Sequence, residues 1–208
     1  MCALLQFTYY RSLITYYFRI MKRIAIFASG SGTNAEKLIR HFELRKNAQV
    51  TLLVCNNANA GVLNIARDHG VETLLVDREH FFSEPSIVEE LKVRGIDLIV
   101  LAGFLWLVPV SLIKAYPEKI VNIHPALLPK FGGKGMYGKK VHEAVIAAKE
   151  KQSGITVHFV NEKFDEGRHI AQFSCEVKEN DSAETLAARV QELEHAHFAD
   201  VVELLLNQ

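Results

Sequence analysis

From about residue 21 onward, short apolar runs alternate with amphipathic stretches. Ile24-Ala25-Ile26-Phe27-Ala28 is continuously apolar, as a strand buried on both faces would be, and Leu38, Ile39 and Phe42 then recur at helical spacing. Thr51-Leu52-Leu53-Val54 is a second apolar run. The pattern next predicts a helix over 62–69 closed by Gly70, a strand over 71–76, a helix over 87–94 closed by Gly95, and a strand over 97–102. A short helix over 111–116 leads into the run Ile120-Val121-Asn122-Ile123-His124, which ends in a Pro-bounded turn. Helix over 141–149 and strands over 154–160 and 170–177 follow, the last strand reading as antiparallel in a local hairpin. Asp181-Ser182-Ala183-Glu184 then supplies a capping pattern for a long helix to about Leu206, with Leu186, Val190, Leu193, His197 and Val201 as its packed stripe. Such alternation implies an α/β domain with a mostly parallel sheet and helices on both faces.

The first twenty residues do not share this pattern. They are rich in Tyr, Phe and Leu, but Arg11 interrupts them and no small-residue cleavage site follows, so they read as neither a signal peptide nor a membrane span. Residues 1–20 are expected to be an extra segment, disordered or a start-site artefact, or else a membrane or partner-binding arm. Residues 21–208 are expected to form a single domain. Charge narrows the partners: 24 basic residues balance 24 acidic ones with no basic tract, which argues against nucleic acid or an anionic membrane and for small molecules. Cys2, Cys55 and Cys175 are too few and too scattered for a disulfide framework or a paired-cysteine zinc site, so a cytoplasmic protein without a metal is expected.

Three stretches carry candidate chemistry. In the strand over 120–124, side chains alternate faces, so Asn122 and His124 share a side with Ile123 opposite. An amide donor for a developing oxyanion and an imidazole that moves protons near neutral pH together suit acyl transfer, although such residues also serve to satisfy turn backbone. Ser29-Gly30-Ser31-Gly32-Thr33-Asn34 lies between a strand and a helix, where free backbone N–H groups favour a phosphate; a tight turn without a ligand is the plainer alternative. Ala35 stands where a dinucleotide fingerprint needs its third glycine, and the second strand ends in Cys55-Asn56-Asn57 without an acid, which argues against NAD. No Gly-Lys-Ser/Thr follows the turn either. Asp165 precedes a glycine turn, where its carboxylate would raise the His124 pKa and position a water, or merely cap backbone. The glycine-rich loop over 131–138 is expected to be mobile and to close over a substrate.

Ser-Gly-Ser-Gly-Thr-Asn at 29–34, Leu-Ala-Gly-Phe at 101–104, Asn-Ile-His-Pro-Ala-Leu-Leu-Pro at 122–129, Gly-Ile-Thr-Val-His-Phe-Val at 154–160 and Asp-Glu-Gly at 165–167 together resemble the phosphoribosylglycinamide formyltransferase family. The resemblance runs in order from Met21 to the C-terminus. It implies a Rossmann-like formyltransferase fold, with a phosphate-binding N-terminal half and a C-terminal half completing a folate cleft. The implied reaction moves the formyl group of 10-formyltetrahydrofolate, a co-substrate, to the amine of glycinamide ribonucleotide in purine biosynthesis. By the same resemblance Gly32, Thr33 and Asn34 bind the phosphate, and Gln191 and Glu194 face the ribonucleotide. Leu105, Trp106, Leu107 and Val108 line the folate site together with Asn122. Asn122 steadies the tetrahedral oxyanion, His124 shuttles the proton, and Asp165 keeps His124 charged and orders a water. The protein is expected to be a monomer or homodimer.

Two positions depart from the family pattern. Trp106 stands where many members carry Arg, and Glu84 stands where an Arg often lies near the folate. Related enzymes share the Asn-x-His-Pro and later Asp. Methionyl-tRNA formyltransferase usually adds a C-terminal domain and formyltetrahydrofolate hydrolase an N-terminal one, for neither of which this chain has room. A non-catalytic phosphometabolite-binding module is the reading from another class.

Overall fold

A seven-stranded sheet of order β3-β2-β1-β4-β5-β6-β7 organises the chain. The computed structural model describes residues 21–83 and 86–207; the expected N-terminal segment 1–20 and Glu84 lie outside the described residues. β1 (Lys22–Ala28), β2 (Ala48–Cys55), β3 (Glu72–Leu75), β4 (Leu98–Leu101) and β5 (Ile120–His124) pair in parallel. β6 (Gln152–Phe159) runs antiparallel to β5, and β7 (His169–Glu176) antiparallel to β6. The hairpin reading of β7 holds. That β6 also reverses against the parallel half is new, because apolar pattern fixes neither neighbour nor direction.

Alternation along the central strand explains the layers. Ile24, Ile26 and Ala28 of β1 face one core, with Leu38, Ile39 and Phe42 of α1 (Thr33–Arg45) and Leu186, Val190 and Phe198 of α7 (Ala183–Leu206). Ala25 and Phe27 face the other, with Phe81 of α3 (Arg78–Phe82), Leu91 of α4 (Ser86–Val93) and Leu112 of α5 (Val110–Ala115). α2 (Val62–Asp68) and α6 (Lys139–Ala147) add Val62, Ala66 and Val145 to the first core. Both faces of β1 are covered, so its run needs no polar alternation. Burying one such Ile or Phe side chain contributes about 1.5–3 kcal/mol.

α7 matches its predicted span, but Phe198 enters the core while the predicted stripe residue His197 is stacked on Phe173 at 3.9 Å. Ser182 caps the helix reciprocally with Thr185: Thr185 N–H donates to Ser182 Oγ at 3.3 Å and Ser182 N–H to Thr185 Oγ1 at 2.9 Å. α3 escaped the sequence reading. It is five residues long, started by Asp77 accepting from His80 N–H, and too short to show a period.

Candidate active site

The C-terminal ends of β1, β4 and β5 lie side by side, and the candidate residues gather there, where chain direction diverges around β1 and β4. The β1 exit is tied to the β4 exit, since Ser29 N–H donates to Gly103 O at 3.1 Å and Leu105 N–H to Ser29 Oγ at 3.1 Å.

At the β1 exit the chain turns into α1 through Gly32, whose φ of 86° is left-handed and whose added Cβ would sit 2.5 Å from Val62 Cγ2. Only glycine satisfies both constraints. No side chain caps α1, which leaves its first N–H groups open to an anion. Thr33 and Asn34 meet α7 here: Gln191 Nε2 donates to Thr33 Oγ1 at 3.2 Å, and Asn34 Nδ2 to Glu194 Oε2 at 2.8 Å. Asn34 Oδ1 is buried without a hydrogen-bond partner, an acceptor left for something else. Burial pushes the Glu194 carboxyl above its ordinary range, and the Asn34 amide only partly offsets this. The five residues assigned to the ribonucleotide are thus brought together from 158 or more residues apart.

The second cluster forms at the β5 exit. Asn122 and His124 both reach Asp165: Asn122 Nδ2 lies 3.4 Å from Asp165 Oδ1, and His124 Nδ1 lies 3.5 Å from Asp165 Oδ2. A residue missed from the sequence completes the set. His158 of β6 pairs with Asn122 across the antiparallel ladder, its Nε2 3.1 Å from Asn122 Nδ2 and 3.6 Å from Asp165 Oδ1. Its apolar strand was visible beforehand, but the register that puts it opposite Asn122 was not. Thr156, paired with His124, buttresses the Pro-bounded turn: Leu128 N–H and Gln172 Nε2 donate to its Oγ1, which donates to Ala126 O.

Backbone groups fix the tautomers. Phe131 O accepts from His124 Nε2 at 2.8 Å, and Phe159 O accepts from His158 Nδ1 at 2.9 Å, because a carbonyl can only accept. The proton-accepting atom of neutral His124 is therefore Nδ1, facing Asp165. One hydrogen of the Asn122 amide goes to His158, and the other makes the longer approach to Asp165. That weaker approach is the one a developing oxyanion can take over. Phe131 and Asp165 both adopt left-handed backbone, at φ 57° each, a cost of about 1–2 kcal/mol per residue spent on aiming these groups. Gly133 N–H donates to Asp165 Oδ2 at 2.9 Å, so the 131–138 loop is moored to the site at its beginning.

Asp165 pulls the His124 pKa upward as expected, but burial outweighs it. His124 is 3% exposed, and burial pulls its pKa below the ordinary histidine value despite the opposing pull of Asp165 and Phe131; His158 adds to the lowering. Burial pushes Asp165 the other way, but His158, His124 and the Gly133 N–H outweigh it and hold the carboxyl below its usual range. His142 of α6 is buried nearby with Nδ1 unpartnered, and burial, with the unfavourable neighbourhood of a second imidazole at His124, lowers its pKa as well. With the pKa of His124 lowered beside the Asp165 carboxylate, the site is suited to accepting a proton rather than storing one.

Of the residues assigned to folate, Leu105 and Leu107 are exposed, Val108 is buried in the core, and Trp106 is half-buried against Phe81, Phe82 and Phe104 under Arg78. His41, Asp200 and Glu203 come together on α1 and α7, but Glu203 is already engaged by Arg45 and Asn47, and none of the three belongs to either cluster.

Residues 22–202 match the sequence profile of the formyl transferase family. The chain belongs to the formyl transferase family. A phosphoribosylglycinamide formyltransferase of Bacillus subtilis is 37% identical over 191 residues, covering 89% of this chain and 95% of its own. The chloroplastic phosphoribosylglycinamide formyltransferase of Arabidopsis thaliana is 43% identical over 87% of this chain, which spans 64% of that relative's length. The crystal structure of phosphoribosylglycinamide formyltransferase from Bacillus halodurans superposes with a TM-score of 0.82 at 37% identity, covering 90% of this chain and 96% of that one. The α/β formyltransferase fold expected from the sequence is the one observed. No helix among the described residues is long and apolar enough to cross a membrane.

Proposed function

We propose that this formyl transferase moves the formyl group of 10-formyltetrahydrofolate to the amine of glycinamide ribonucleotide, as the names of its relatives suggest. The observation that carries this reading is the set of Asn122, His124, Asp165 and His158, its two imidazoles buried, beside an uncapped helix start. The ribonucleotide phosphate docks on the α1 N-terminus at Gly32, Thr33 and Asn34, with Gln191 and Glu194 facing the rest of the acceptor. The folate lies along Leu105, Trp106, Leu107 and Val108. The acceptor nitrogen attacks the formyl carbon, a C–N bond forms, and the carbonyl electron pair moves onto oxygen, where the Asn122 N–H meets it in place of Asp165. The amine proton passes, through a water held by Asp165, to His124 Nδ1, and the new imidazolium is matched at once by that carboxylate. His124 then returns the proton to the folate nitrogen as its bond to the formyl carbon breaks.

Residues 21–208 act in this reading as one catalytic domain on small-molecule substrates, without nucleic acid or a metal, as a monomer or homodimer. The free thiols of Cys55 and Cys175 suit a reducing, cytoplasmic setting. The test is tetrahydrofolate release followed by absorbance, with and without glycinamide ribonucleotide, in wild type and His124→Ala. Turnover is expected to require the ribonucleotide and to collapse in the variant. Equal consumption of the folate without acceptor would replace the proposal with a hydrolase, and ligand binding without turnover would replace it with a binding module.

A further inference from the structure

The turn that follows β5 is held from behind by a residue of the outermost strand. Gln172 of β7 pairs with Thr156 of β6, and Thr156 pairs with His124 of β5, so one row across the sheet runs from its edge to the His124 imidazole. Both hydrogens of the Gln172 amide are used on this row: Nε2 donates to Thr156 Oγ1 at 2.9 Å and to Leu128 O at 3.0 Å. The Thr156 hydroxyl, 0% exposed, gives its one hydrogen to Ala126 O at 2.7 Å and accepts from Leu128 N–H at 3.0 Å. Leu128 is thereby pinned through both its N–H and its carbonyl. Its side chain in turn limits Gly132, where a Cβ would strike Leu128 Cδ2 and lie 3.1 Å from Asp165 Cβ. Gly132 is wedged between the two, and its neighbours carry the backbone contacts of the site, Phe131 O on His124 Nε2 at 2.8 Å and Gly133 N–H on Asp165 Oδ2 at 2.9 Å.

Two acceptors compete for the hydrogen of neutral His124. Asp165 Oδ2, 3.5 Å from Nδ1, draws it there, while Phe131 O at 2.8 Å draws it to Nε2. The carbonyl wins by being closer, which lasts only while the turn stays in place. We propose that Gln172 is a positioning residue for His124: by fixing Leu128 and Thr156 it holds Phe131 O against Nε2, and so keeps Nδ1 bare for the proton of the acceptor amine. The assignment rests on the formyl-transfer reading above and names the residue that prepares its base.

The tautomer is read directly by nitrogen-15 NMR of the full chain labelled at histidine, without ligands and above about pH 7.5, a unit over the ordinary histidine pKa. The chain has nine histidines, so the His124 signals are identified by their absence from His124→Ala. Wild type is expected to carry the hydrogen on Nε2. Gln172→Met, close in length but without donors, should move a large share of it to Nδ1 and lower kcat about tenfold, the upper end of what one hydrogen bond contributes, with the ribonucleotide KM unchanged. Gln172→Glu keeps the length but sets a carboxylate against two oxygens, so it should shift the hydrogen at least as far. A hydrogen on Nδ1 in wild type would overturn the proposal without any variant. So would variants that unfold at lower denaturant yet keep the hydrogen on Nε2 and the wild-type kcat, since Gln172 would then serve stability alone. If the tautomer shifted as expected in a chain that shows no ribonucleotide-dependent turnover, the positioning role would stand and the formyl-transfer reading would fall by itself.

Discussion

The two halves of the site solve different problems with different parts of the chain. The phosphate end is built from backbone: an uncapped helix start behind Gly32, with α7 side chains across from it, at the surface. The strand-end cluster is built from side chains, with His124 only 3% exposed and His158 2%. An anion that stays charged throughout needs only fixed partial positive charge, which helix geometry supplies. A group that gains and loses a proton needs its charged form penalised until the moment of use, which burial supplies here.

The sharpest way to separate the ends is Asn122→Ala. Removing a single oxyanion donor should lower kcat about 10²- to 10³-fold with little change in phosphate affinity, measured by steady-state kinetics and by competition with inorganic phosphate. Matching losses in both quantities would mean the ends are not independent. Gly32→Ala attacks the other end. Its left-handed backbone costs a side-chain-bearing residue about 1–2 kcal/mol, and the new Cβ meets Val62, so denaturant titration should register at least that loss and the ribonucleotide KM should rise with it.

The pH dependence sharpens the contrast further. Because the native His124 pKa is lowered, the unfolded chain binds its proton first as pH falls. Its contribution to stability is therefore present above about pH 6.5 and is lost as pH drops through that value toward the native pKa. The acidic limb of kcat should likewise fall below the ordinary histidine value. In Asp165→Asn it should move lower still, as the group that raises His124 disappears; an upward move would reverse the roles assigned here. The smallest effect is expected from Ser182→Ala, far from both ends in function. Loss of this cap should cost about 1 kcal/mol in thermal or chemical unfolding and leave the kinetics of both ends alone.

Much of this was legible beforehand because it is local. Period and punctuation located every strand and most helices, and the glycine turn announced a candidate anion site through the conformational needs of one residue. Alternation put Asn122 and His124 on one face. α3 was not legible, being shorter than any period it could display.

What the sequence determined by itself is therefore most of the elements, the family resemblance and the candidacy of Asn122, His124 and Asp165, since each rests on neighbours in the chain. Tertiary structure alone decided the partners. His158 joins the cluster through a register between antiparallel strands, with Asn122 and His158 separated by 36 residues in sequence. It decided the charge state as well. Whether Asp165 or burial governs His124 depends on how much water the surrounding elements exclude, a quantity that exists only once α6, β5, β6 and the 131–138 loop have closed around the ring.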